Sequence, residues 1–115
     1  MVNNNLVKNI QLVSILVHTY NRPDSLKRAL ESITTQTYKN IEIIVVNDAG
    51  EDVSQVINAF RDRLTIKYLT HDINKDRSAA RNTAIKHASG QYIAYLDDDD
   101  IFHPHHVETA VKVLT

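Results

Sequence analysis

The chain has 115 residues, 43% of them hydrophobic and 23% charged, with a formal net charge of −1. That is the length of one domain, with enough apolar residues for one core and too many for a disordered chain. The near-neutral balance argues against a protein that lives on nucleic-acid phosphates, where a basic surplus is the rule.

The chain contains no cysteine, which excludes a disulfide scaffold, a thiolate metal site and a thiol nucleophile. No apolar run approaches the roughly 20 residues of a membrane span. The opening MVNNNLVKNIQ lacks the apolar stretch of a signal peptide. The chain is therefore read as soluble and cytoplasmic, without a membrane segment. Its only glycines are Gly50 and Gly90. A glycine-rich phosphate loop or dinucleotide fingerprint needs several close together, so both are absent.

In chain order, residues 1–10 read as a flexible arm and 11–115 as the domain. VSILV (13–17) is a first strand. Leu26, Ala29, Leu30 and Ile33 recur at helical spacing behind Pro23, which suits a first helical turn. IEIIVV (41–46) is a second strand, followed by a helical stripe at Val53, Val56, Ile57 and Phe60. LTIKYL (64–69) alternates more and reads as an edge strand. An alanine-rich helix over about 78–88 follows, with Gly90 as its expected C-cap. YIAYL (92–96) reads as a fourth strand, buried on both faces like the first two. A last stripe at Val107, Ala110, Val111 and Leu114 follows Pro104, taken as its first turn. That helix meets no stop signal, so the chain reads as a piece of a longer protein. The order βαβαβαβα predicts an α/β, Rossmann-like three-layer sandwich with a mainly parallel sheet.

Ligands of such sheets bind beyond the carboxyl ends of the strands. Those ends carry HTYNRPDS (18–25), NDAG (47–50), THDINKDRSAARN (70–82) and DDDD (97–100). Four adjacent carboxylates repel one another unless a cation shares them. Mg²⁺ and Mn²⁺ take oxygen ligands, and extended backbone would turn Asp97 and Asp99 to one side. The plainer reading is a solvated acidic turn before a helix. Asp48 either makes a turn or accepts hydrogen bonds from a base edge. Arg77 and Arg81, one helical turn apart, either face a phosphate or base or pair with Asp72 or Asp76. Tyr20 offers a face for base stacking as well as packing bulk. His103, His105 and His106 do not have the spacing of a helical zinc pair and read as a helix start.

Taken together, T-Y-N-R after the first strand, V-N-D after the second, A-R-N in the third helix and L-D-D-D-D after the fourth form a specific set. Across about residues 12–113 the chain resembles the N-terminal, nucleotide-sugar-binding half of inverting family 2 glycosyltransferases, with the glycosyltransferase A-type fold. The resemblance implies a nucleoside wrapped by Thr19, Tyr20, Asn21 and Arg22, with Asp48 reading the base, usually uracil. It implies help from Arg77 or Arg81, and ribose and metal-diphosphate contacts from Asp97, Asp98 and Asp99. Asp97 and Asp99 are the implied ligands of Mn²⁺ or Mg²⁺; Asp100 has no fixed role. The implied reaction moves a sugar from a nucleotide-diphosphate sugar, typically a UDP-sugar, to a hydroxyl of a sugar or lipid-linked acceptor, as in cell-surface polysaccharide synthesis. The catalytic base is expected beyond Thr115.

Two departures stand out. His18 occupies a position where the family usually has proline, and Ala49 replaces a usual glycine, narrowing the allowed backbone. Three rival readings compete with this one. A sugar-nucleotide pyrophosphorylase needs a glycine-rich basic loop after the first strand. A receiver domain needs an acidic pair there. Neither feature is present. A nucleotide-sugar-binding module without its own catalysis is the alternative that survives.

Overall fold

The computed structural model describes residues 11–114. Four parallel strands, β1 (Val13–Thr19), β2 (Ile41–Asn47), β3 (Thr65–Thr70) and β4 (Tyr92–Asp97), form one sheet in the order β3-β2-β1-β4. Helices α1 (Pro23–Thr34), α2 (Ser54–Asn58), α3 (Arg77–His87) and α4 (His106–Leu114) alternate with them. This is the predicted α/β architecture. Residues 1–10, read from sequence as an arm, lie outside the described residues.

Two cores make three layers. Val13, Ile15 and Val17 of β1 and Ile43 and Val45 of β2 meet Leu26, Ala29, Leu30 and Ile33 of α1. Ile57, Phe60, Val107 and Val111 join them on the same face. The opposite side chains, Leu16, Ile44 and Val46, meet Ala80 and Ala84 of α3. The small alanines let that helix lie close on the sheet. Strand alternation is what sends neighbouring β1 residues into different cores.

The structure corrects four local expectations. β3 is at an edge as read, but β4 is not buried on both faces: Ile93 and Tyr95 are exposed. The reason is coverage, since the α3 core is built on β1 and β2 residues and reaches β4 only with longer side chains. Gly90 is not a left-handed C-cap. α3 ends on Ala88 in extended backbone, and no glycine has positive φ. Gly90 is small for a different reason: a Cβ there would stand 2.5 Å from Ser14 Oγ and 2.8 Å from the Leu12 carbonyl oxygen. The second helix is only five residues long, Ser54–Asn58. Pro104 lies in the turn before α4 rather than in its first turn.

Buried Gln36 fixes where α4 begins. Its amide donates to the His103 carbonyl at 2.7 Å and accepts from Val107 N–H at 3.1 Å. One side chain at the end of α1 thereby satisfies an N-terminal donor of α4 and ties down the segment that follows the aspartates.

Candidate nucleotide-sugar site

From β1 the chain crosses to β2 on one side and returns to β4 on the other, so the carboxyl ends of β1 and β4 flank the switch point of the sheet. A crevice opens at such a point. Across it, Thr19 Oγ1 donates to Asp98 Oδ2 at 2.9 Å, with both side chains buried. Arg22 Nη1 stands 3.0 Å from Asp99 Oδ2 and 3.6 Å from Asp98 Oδ1. His18, Tyr20, Arg22, Arg77 and Asp98 line a cleft of about 190 Å³ here. Tyr20 is exposed on its rim.

The four aspartates do not continue the strand. β4 ends at Asp97, and the Asp100 N–H donates to the Asp97 carbonyl at 3.0 Å, closing a turn over Asp98 and Asp99. The alternation that would set Asp97 and Asp99 side by side therefore stops at Asp97. Asp98 turns inward to Thr19, while Asp97 faces Arg77 Nη1 at 3.9 Å and Asp99 faces Arg22. Among the described residues no three His, Asp or Glu side chains converge to hold a metal by themselves. The donors nevertheless suit a hard cation. They are carboxylate oxygens, and a guanidinium already stands between Asp98 and Asp99. Mg²⁺-type sites take one or two carboxylates and complete the shell with substrate oxygens and water.

Asp48 directly follows β2 and is almost wholly buried. Its Oδ1 accepts from His71 Nδ1 at 2.7 Å and from the Lys75 N–H at 3.0 Å. His18 Nε2 lies 3.7 Å from Oδ2 and has no hydrogen-bond partner among the described residues. Burial works to raise the Asp48 pKa. The hydrogen bonds from His71 and Lys75, with the charges of His71 and His18, outweigh it and hold the carboxyl below its ordinary value. His71 Nε2 in turn meets Thr83 Oγ1 of α3 at 2.8 Å. Asp48 thus anchors the segment before α3 from beneath. Sequence reading singled out the stretch after β3 but not His71. Its place one residue beyond a strand end was the available signal.

Among the described residues three non-glycine positions adopt positive φ, and all three border this site: Asn21 at 54°, Ala49 at 65° and Asp76 at 149°. Such strain persists where surrounding contacts over-determine it. Asn21 Oδ1 accepts from Glu51 N–H at 2.7 Å, joining the loops after β1 and β2. Gly50 permits that approach, since a Cβ would stand 2.8 Å from the Asn21 nitrogen. Asp76 caps α3 by accepting from Ala79 N–H at 2.8 Å. Arg77 and Arg81 lie on that helix, and the Arg81 guanidinium carbon sits 4.6 Å from the centre of the Tyr95 ring. Of the histidines after the aspartates, His106 stacks on Phe102 and His105 faces Glu108 at 3.5 Å.

Residues 14–115 match the family described as Glycosyl transferase family 2. The chain is 42% identical over 92 residues to the Escherichia coli UDP-Glc:alpha-D-GlcNAc-diphosphoundecaprenol beta-1,3-glucosyltransferase WfaP, covering 79% of this chain and 36% of that protein. Residues 1–349 of TarS from S. aureus, solved in complex with UDP-GlcNAc, superpose with a TM-score of 0.81 at 26% identity, covering 90% of this chain and 31% of that one. The mannosyltransferase PcManGT from Pyrobaculum calidifontis, in complex with GDP-Man and Mn²⁺, gives 0.77 at 25% identity, again covering 90% and 31%. The chain spans 14% to 37% of the length of the curated relatives it matches. No helix among the described residues is long and apolar enough to cross a membrane. With this fold and this sequence match, the chain belongs to the family 2 glycosyltransferases.

Proposed function

We propose that this chain is the donor-binding part of an enzyme that moves a sugar from a UDP-sugar to a hydroxyl of a sugar or lipid-linked acceptor, with inversion. The observation that carries the reading is the Thr19–Asp98 hydrogen bond at the switch point, beside a cleft edged by Tyr20, Arg22 and Arg77. Tyr20 stacks on the base, and Thr19, Asn21 and Arg22 wrap the nucleoside. Asp48 accepts from the base once its Oδ2 is uncovered. Asp98 and Asp97 reach the ribose and diphosphate region, where Arg77 and Arg81 offset phosphate charge. The complexes of TarS with UDP-GlcNAc and of PcManGT with GDP-Man support a nucleotide-sugar donor. The name of WfaP supports a lipid-linked acceptor and a role in cell-surface polysaccharide synthesis.

In the reaction, the acceptor oxygen forms a bond to the anomeric carbon as that carbon's bond to the diphosphate breaks. The hydroxyl proton passes to a carboxylate base, a role we assign to none of the four aspartates. Asp97 and Asp99 would hold Mn²⁺ or Mg²⁺, which supplies Lewis-acid stabilisation of the departing diphosphate. Calorimetry of UDP binding, with and without Mn²⁺, tests the reading. Affinity that rises with metal and loses that rise in Asp99→Ala is expected. A folded protein that binds UDP under neither condition would overturn it. A second reading has an observation of its own. The chain spans about a third of the solved relatives, so these residues could bind donor without turning it over. Binding without transfer by this chain would support that reading.

A further inference from the structure

Tyr95 and Asp97 project from the same face of β4, paired in register with Leu16 and His18 of β1. α3 runs antiparallel above them. Arg77 reaches Asp97 at 3.9 Å, and Arg81 lies over the Tyr95 ring at 4.6 Å. The two spacings agree. Four helical residues rise about 6 Å, and two strand residues advance about 6.6 Å. The helix therefore lays two successive arginines on two successive side chains of one strand face.

The two arginines are held differently. A carboxylate engages a guanidinium through its N–H edge, as Asp97 does Arg77 and as Asp99 does Arg22. An aromatic ring engages the flat face and leaves the edge open. Arg81 has no ion pair or hydrogen bond among the described residues, so its fork of N–H donors is uncommitted. That fork matches phosphate oxygens in a bidentate geometry. Arg81 and Tyr95 border a narrow cleft together with His18 and Asp97, and His18 also lines the cleft of Tyr20, Arg22 and Asp98. The cation is thus placed beside the candidate donor site with its charge not cancelled by a carboxylate.

We propose that Tyr95 is a positioning residue for the diphosphate of the donor. Its ring holds Arg81 by the face, at the carboxyl end of the sheet, with the N–H edge presented to phosphate oxygens. The inference rests on the nucleotide-sugar reading above and adds a residue that reading did not contain. It also accounts for a half-exposed aromatic on an edge strand, on the face toward α3, where neither core requires one.

The test is calorimetry with two probes, UDP and uridine, on the wild-type chain, Tyr95→Leu, Tyr95→Phe, Arg81→Gln and the Tyr95→Leu/Arg81→Gln pair. Tyr95 is 45% exposed, so leucine and phenylalanine are both tolerable on this strand, and circular dichroism checks the fold. Tyr95→Leu is expected to weaken UDP about two- to fivefold, the range of an exposed cation–π contact. Uridine affinity should not change, Tyr95→Phe should restore UDP affinity, and Tyr95→Leu should cost nothing further once Arg81 is glutamine. Wild-type UDP affinity in Tyr95→Leu overturns the inference alone. So does an equal loss with uridine, or an unreduced loss in the double variant. Failure of the wild-type chain to bind either probe overturns the nucleotide-sugar reading and takes this inference with it.

Discussion

Thr19 and Asp98 are 79 positions apart in sequence, yet their side chains share a buried hydrogen bond of 2.9 Å across the switch point. The bond joins the loop after β1 to the turn after β4. It is charge-assisted, and Asp98 is nearly without solvent, so its loss leaves a buried carboxylate short of a donor. Thr19→Val keeps the shape and removes the hydroxyl. It should lower unfolding stability by about 2 kcal/mol, while Thr19→Ser stays close to wild type. Urea denaturation measures both. A valine variant as stable as the parent would show that Arg22 alone satisfies Asp98.

Much of this end of the molecule could be read from sequence, and the reason is topological. Alternation of strand and helix patterns forces parallel strands, and parallel strands send their carboxyl ends to one side. The strand and helix pattern alone therefore puts Tyr20, Asp48, Arg77 and the aspartates at one end of the sheet. The arrangement among the aspartates was not legible, because it depends on where β4 stops. One hydrogen bond from Asp100 N–H to the Asp97 carbonyl turns the chain and buries Asp98 instead of its neighbours. His71 and Gln36 are not legible in the sequence for a related reason. Each is a single polar side chain whose partner lies far along the sequence, and no periodicity marks such residues. Gly90 reads from sequence as a C-cap because a helix ends beside it, whereas its close contact is with Ser14, 76 positions away in sequence.

Ala49 offers a gain in stability. Its φ of 65° is a left-handed conformation in which a Cβ costs about 1–2 kcal/mol. Glycine removes that cost but adds unfolded-chain freedom worth about 0.4–1 kcal/mol. Ala49→Gly should therefore stabilise the chain by about 0.5–1 kcal/mol, raising the melting temperature by about 3 °C. Thermal unfolding followed by circular dichroism decides it. A lower melting temperature would mean that the Ala49 methyl contributes packing that outweighs its strain.

Gly90 should behave in the opposite way. A methyl group there meets backbone atoms of Leu12 and Ser14 as well as Ser14 Oγ, and backbone cannot rotate aside. It would also disturb the Gly90 N–H donation to Ser14 Oγ at 2.9 Å. Gly90→Ala is expected to cost about 2–3 kcal/mol although its φ is permitted to any residue. UDP binding at the far end of the sheet should be unchanged while the fold holds. A substitution that proved neutral would show that β1 and the segment before β4 can separate freely.

The same region governs acid stability through Glu42, a buried carboxylate among the apolar side chains of β2. Ser14 Oγ and the Ser89 N–H donate to it at 2.6 Å each, and Lys67 Nζ lies at 3.2 Å. Burial works to raise its pKa, but the hydrogen bonds from Ser14, Ser89 and Lys67 and the lysine charge outweigh it and leave the pKa below the ordinary value. A depressed folded-state pKa means that the unfolded chain takes up the proton first on acidification. The contribution is complete above the unfolded glutamate value of about 4.3 and is lost as pH falls through the lower folded value. Asp48, depressed for similar reasons, acts in the same direction. Stability in urea should therefore be flat near neutrality with respect to both groups and fall below about pH 4. Glu42→Gln should be less stable by about 2 kcal/mol at pH 7, because charge-assisted bonds become neutral ones, and the gap should narrow toward pH 3. Lys67 is partly exposed and recovers water when its partner is gone, so the variant should still fold. Parallel stability curves for the two proteins from pH 7 to pH 3 would show that Glu42 titrates alike in the folded and unfolded chains.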